Sequence, residues 1–153
     1  MSEPKSVPPP CEFDPDKLAL KIDEVVPSDV EIIAGEVGKI TALIQQTAPS
    51  YDLGGIHLAL QEALANAIIH GNGRGSAKAV RICVAVQEDC GLLVVVKDGG
   101  SGFDPNALPD PRAAQNLFAS HGRGIFLIRQ LMDDVWFEFE NGTAVYMLKR
   151  GSE

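Results

Sequence analysis

Three polar side chains, Glu62, Asn66 and His70, recur at four-residue intervals in the otherwise apolar stretch DLGGIHLALQEALANAIIHGN. At helical pitch, residues with this spacing share one stripe. Leu53, Ile56, Leu60, Leu64 and Ala67 gather on another side of the same helix, leaving only His57 and Gln61 fully solvent-facing. A carboxylate among apolar neighbours is costly to desolvate, and no Lys or Arg lies within one turn of Glu62, so compensation has to come from outside the helix. A metal ion or a ligand would serve. Taken alone, a Glu and an Asn on a helix are ordinary solvated residues, and other segments must give the trio its meaning.

Two glycine-rich segments do so. Asp98-Gly99-Gly100-Ser101-Gly102-Phe103 follows a Val-rich run, and Gly122-Arg123-Gly124 opens an amphipathic one. A carboxylate at a strand end can accept a hydrogen bond from an exocyclic amine. Glycines beside it let a base lie against the backbone, and free amides at a helix N-terminus attract phosphate oxygens. Each segment by itself also reads as a plain turn or helix start. There is no GxxxxGK[ST], and no GxGxxG leads from a strand into a helix, which excludes the P-loop and Rossmann readings.

The elements that must position these residues follow from periodicity. LALKID (18–23) alternates as a strand with one covered face. Ser28 and Glu31 form a capping box opening an amphipathic helix to about Gln46, closed by Pro49. Asp52 caps the helix that bears the trio. VRICVAVQE and LLVVVKD make a buried hairpin over the short Asp89-Cys90-Gly91 turn, and Gly99 to Gly124 forms a long, weakly periodic candidate ligand-covering loop. Ile125 to Met132 resumes a helix, and VWFEFE and TAVYMLK flank Asn141-Gly142, the signal of a type I′ hairpin. The order β-α-α-β-β-loop-α-β-β predicts an α+β two-layer sandwich of a mixed, mostly antiparallel sheet with helices on one face.

Composition bounds the reading. The chain of 153 residues, 45% hydrophobic, fits one domain over 17–150, preceded by a proline-rich arm (1–16) expected to be extended or disordered. A formal charge of −8 argues against a nucleic-acid surface. Arg74, Lys78 and Arg81 form a small basic cluster that reads as a solvated face. Cys11, Cys83 and Cys90 are odd in number and lack CxxC spacing, which fits neither a disulfide framework nor a zinc site and favours a reducing cytoplasm. No apolar run reaches membrane-spanning length, and the N-terminus lacks the apolar core of a signal peptide.

Taken together, EALANAIIHGN, DGGSGF and HGRGIFLI resemble the N-box and the two glycine boxes of the Bergerat-fold (GHKL, histidine-kinase-like) ATPases. Within that superfamily the short chain and the ending GIFLIRQLMDDVWFEFENGT look most like bacterial anti-sigma factor serine/threonine kinases. The resemblance implies ATP and Mg²⁺ as ligands, a sigma factor and a STAS-type antagonist as partners, and a homodimer. It implies that Asn66 coordinates Mg²⁺, that Glu62 is the general base, and that Asp98 reads the adenine amino group. Gly100 and Gly102 would let the lid approach the nucleotide, Gly122, Arg123 and Gly124 would face the phosphates, and Thr143 would lie near adenine. His70 either approaches the phosphates or interacts with the helix dipole. Two alternatives stand beside the kinase: a non-catalytic nucleotide-gated binding module, and the catalytic ATPase domain of a histidine-kinase-type system. The latter needs a phosphoacceptor hairpin for which no segment here is long enough.

Overall fold

A computed structural model describes residues 12–71, 79–98, 123–138 and 142–150. Five strands, β1 (Leu20–Pro27), β2 (Ala79–Gln87), β3 (Gly91–Asp98), β4 (Asp134–Glu138) and β5 (Ala144–Lys149), form one sheet in the order β1-β2-β3-β5-β4. All four pairings are antiparallel. The α+β sandwich is therefore as expected, with antiparallel pairing throughout the described sheet. Three α-helices, α1 (Ile33–Thr47), α2 (Leu53–Ala65) and α3 (Arg123–Leu131), accompany it.

Alternation along the strands decides which face is covered. Val80, Ile82, Val84 and Val86 of β2 and Leu92, Val94 and Val96 of β3 are buried and share one core with Val37, Ile40 and Ile44 of α1 and Ile56, Leu60 and Leu64 of α2. Burying each such side chain contributes about 1.5 to 3 kcal/mol. Glu24 points to the same side from edge strand β1, where Lys39 of α1 meets its Oε1 at 2.8 Å and Glu36 Oε2 at 3.2 Å. An inward charge on an edge strand discourages pairing with another chain, and here it is compensated by the helix.

The other face carries Asp23, Arg81, Cys83, Lys97, Trp136 and Tyr146. Trp136 stacks on its cross-strand partner Tyr146, centroids 5.2 Å apart and planes 11° from parallel. Burial, together with the hydrogen bond to Glu138 Oε1 at 2.8 Å, pushes the Tyr146 phenol up to about 12. Arg81 grips Asp23 through two hydrogen bonds of 2.9 and 2.8 Å, which hold the Asp23 carboxyl at about 2. A depressed carboxylate stabilises the fold above its ordinary pKa of about 4, and that contribution disappears as pH falls towards 2. The melting-temperature gap between the native chain and D23N should therefore be constant above about pH 5 and close on acidification.

Several boundaries differ from the sequence reading. β1 runs on to Pro27 because Glu24–Pro27 continue the ladder against Ala79–Ile82. The capping box does not form as expected. Asp29, not Ser28, accepts from Glu31 N at 3.0 Å and starts a short 3₁₀ turn (Val30–Ile32) ahead of α1, while Ser28 is buried. Asp52 does cap α2, accepting from Gly55 N. Asn141 of the expected type I′ turn lies outside the described residues; on either side of it Glu138 pairs with Ala144. Of the N-terminal arm, residues 12–16 are described. Asp14 caps a 3₁₀ turn (Pro15–Lys17), and its N–H donates to Gln87 Oε1 at 2.8 Å. The cysteine reading also needs correction. Cys83 is a free thiol but Cys90 is disulfide-bonded, because chain segments remote in sequence meet at the β2–β3 turn.

Candidate functional site

The trio-bearing helix behaves as its pattern requires for most of its length. His57 and Gln61 are exposed, Leu60, Ala63 and Leu64 are buried, and Glu62 and Asn66 are half-buried on the intervening stripe. Regular α-helix stops at Ala65, however, and Asn66–Gly71 forms a π-helical turn. Such widened turns are rare and recur at functional sites. The bifurcated bond from Asn66 N–H to the carbonyls of Glu62 and Ala63 marks where the ladder changes. The i, i+4, i+8 stripe thus holds for Glu62 and Asn66, while the π turn shifts the backbone of His70 out of strict register.

The start of α3 closes on these two residues. A Cβ at Gly124 would stand 2.7 Å from Glu62 Oε1 and 3.3 and 3.6 Å from the amide Nδ2 and Oδ1 of Asn66. A side chain there would meet two polar tips, the nearer of them the flexible end of Glu62. Among the described residues no ion pair or hydrogen bond engages the Glu62 carboxylate, so its oxygens face the same gap as the Asn66 amide. G124A is expected to displace the flexible Glu62 tip and leave the helix in place. Its melting temperature should stay within a few degrees of the native value, while any turnover dependent on Glu62 falls about tenfold or more.

A second group lies at the end of β3. Asp98 is 5% exposed. Its Oδ1 accepts from Thr143 N at 3.1 Å and its own N–H donates to Thr143 O at 2.9 Å, which ties the strand end to the approach of β5. Gly142 seals the arrangement. It has φ +113°, a Cβ there would overlap Asp98 O, and Oδ1 would be 3.1 Å away. The sequence reading saw Gly142 only as a turn residue and missed its contact with Asp98. The available signal was its place next to Thr143. Any side chain would meet both backbone strain, roughly 1 to 3 kcal/mol, and the carbonyl. G142A should lower the melting temperature by about 5 °C or more in a thermal scan.

The π turn that begins at Asn66 packs against β3, the strand that ends in Asp98. A carbonyl amide and a carboxylate are the hard oxygen donors that Mg²⁺ accepts. Among the described residues no cluster of three His, Cys, Asp or Glu could hold a metal. Gly100, Gly102 and Gly122 and the side chains of His70 and Arg123 lie outside the described residues, as do Arg74 and Lys78 of the basic cluster. Arg81, the remaining member of that cluster, is engaged by Asp23 on the other face of the sheet.

Residues 24–149 match the family of histidine kinase-like ATPase domains, and the chain belongs to it. Its relatives are more particular. It is 26% identical over 136 residues to the serine-protein kinase RsbW of Staphylococcus epidermidis, covering 84% of this chain and 85% of that one. It is 34% identical over 120 residues to the anti-sigma F factor of Geobacillus kaustophilus, covering 72% and 78%. Among solved structures, the histidine kinase domain of a blue-light activated histidine kinase from Erythrobacter litoralis aligns with TM-score 0.48 at 20% identity, covering 75% of this chain and 59% of that one. The family match and the two sequence relatives bear out the resemblance to histidine-kinase-like ATPases and anti-sigma kinases. Among the described residues no helix is long and apolar enough to cross a membrane.

Proposed function

We propose that this chain is an ATP-dependent serine/threonine protein kinase that phosphorylates a STAS-type antagonist and, in its unantagonised state, holds a sigma factor inactive. One observation supports the chemistry above all. The polar tips of Glu62 and Asn66 meet at Gly124, where a methyl would displace Glu62 Oε1. The names of the relatives, serine-protein kinase and anti-sigma factor, support serine as the acceptor and a sigma factor as a partner, while the STAS-type antagonist rests on the sequence resemblance.

In this reading the Asn66 side-chain oxygen would hold Mg²⁺, which would supply charge neutralisation to the phosphates. Asp98, fixed by Thr143 N, presents its carboxylate to the adenine amino group, with Thr143 alongside. Gly122, Arg123 and Gly124 offer amides and a cation at the start of α3. Glu62 takes the proton of the antagonist's serine hydroxyl as its oxygen bonds to the γ-phosphorus. The bond from that phosphorus to the β–γ bridging oxygen breaks, and ADP leaves. The half-buried setting suits a base that must keep its carboxylate dry enough to act yet open to a protein hydroxyl.

Two measurements test the proposal. Titration of ATP with Mg²⁺ into the purified chain should release binding heat, and γ-labelled ATP should transfer label to a STAS-domain protein encoded nearby. Absence of heat sinks the nucleotide assignment. Heat together with a tight complex but no label would make the chain a nucleotide-gated binding module instead.

A further inference from the structure

The sheet face that carries Trp136 and Tyr146 has a cavity of about 190 Å³ among the side chains of Arg81, Lys97, Glu138 and Tyr146, with Val95 and Ala144 also lining it. The register accounts for the hollow. Arg81 pairs with Lys97, Lys97 with Ala144 and Ala144 with Glu138, so one methyl group stands between a cation and a carboxylate in a single cross-strand row. Two strand spacings, on the order of 10 Å, separate the backbones of Lys97 and Glu138. The neighbouring row supplies Val95 and Tyr146, the latter braced by its stack on Trp136.

Most polar groups around this cavity already have partners. Arg81 Nη2 donates to Asp23 Oδ2 at 2.8 Å, and Cys83 Sγ reaches the same carboxylate at 3.5 Å. Tyr146 Oη donates to Glu138 Oε1 at 2.8 Å. Two opposite charges are left over. Among the described residues no acid or carbonyl engages the half-buried Lys97 ammonium, and no donor meets Glu138 Oε2. They line one cavity without pairing with each other. A half-buried charge without a counter-charge is unfavourable, and a hollow with opposite charges at its two ends complements a molecule that bears both. The volume corresponds to about six water molecules and falls below the roughly 300 to 1,000 Å³ of sites for drug-sized ligands. A small zwitterion meets both conditions.

We propose that this cavity binds a free α-amino acid, with its carboxylate on Lys97, its ammonium on Glu138 and its side chain against Val95 and the Tyr146 ring. A simple anion would satisfy Lys97 and be repelled by Glu138. A simple cation would meet the reverse. Both anchors are long, rotatable side chains, so backbones two strands apart can close on charges held within one small molecule.

The test uses the full chain without nucleotide, so its outcome is independent of the kinase reading. Each common L-amino acid is added in turn. At a hundredfold excess over its dissociation constant, the one that fits should raise the melting temperature by about 5 to 10 °C. Calorimetric titration should return heat for that amino acid and none for acetate or methylamine, which carry one charge each. K97M and E138Q, without ligand, should melt within a few degrees of the native chain, and each should bind the amino acid about tenfold to a hundredfold more weakly. Failure of every amino acid, equal binding of acetate or methylamine, or native affinity in either variant would overturn the proposal. So would a change in the sedimentation of K97M or E138Q without ligand, which would assign this face to contact between copies of the chain.

Discussion

Replacing Asp98 by asparagine should weaken ATP binding about tenfold to a hundredfold with little change in melting temperature. The asparagine oxygen can still accept from Thr143 N, so the tie between the end of β3 and the approach to β5 survives. What changes is the second position of the side chain, where an acceptor becomes an NH₂ donor facing the donor amine of adenine. A charge-assisted hydrogen bond contributes about 1.5 to 3 kcal/mol, which gives the stated range of affinity. Alanine is a blunter probe because it also removes the partner of Thr143 N in a buried setting. Calorimetric titration of native and D98N protein with ATP and Mg²⁺ decides the point. Equal affinities would show that adenine is not read by this carboxylate.

E62Q should retain ATP binding and lose phosphoryl transfer by about a hundredfold to ten-thousandfold, the range that a positioned general base supplies. Glutamine preserves the size of the side chain and hence its fit against the Cα of Gly124 and the amide of Asn66. It removes only the capacity to accept a proton. Single-turnover labelling of a STAS-domain substrate, with ATP affinity measured in parallel, separates the two effects. Normal transfer by E62Q would remove Glu62 from the chemistry and leave the nucleotide assignment standing.

How much of this was legible in the sequence depends on whether local pattern or tertiary contact decides a residue's place. The Val and Ile content of VRICVAVQE and LLVVVKD located β2 and β3 to within one residue, because both strands contribute to the core under the same helices. Asp52 was readable as a cap because its bond to Gly55 N is local. Ser28 and Asp29 compete for one helix start, and adjacent residues of equal capping ability leave that contest to burial, which the sequence does not display. The π turn at Asn66 was hidden for a related reason, since hydrophobic periodicity over one turn does not distinguish 3.6 from a wider pitch. Glu62, Asn66 and Asp98 were legible as polar residues in apolar settings. The roles of Gly124 against Glu62 and Gly142 against Asp98 were not, because each exists only where segments distant in sequence converge.

The stack of Trp136 on Tyr146 has one more consequence. Trp136 is the chain's sole tryptophan, nearly enclosed and layered on Tyr146, so the protein carries a built-in optical reporter on its edge strand β4. Its emission registers whatever loosens or covers that edge.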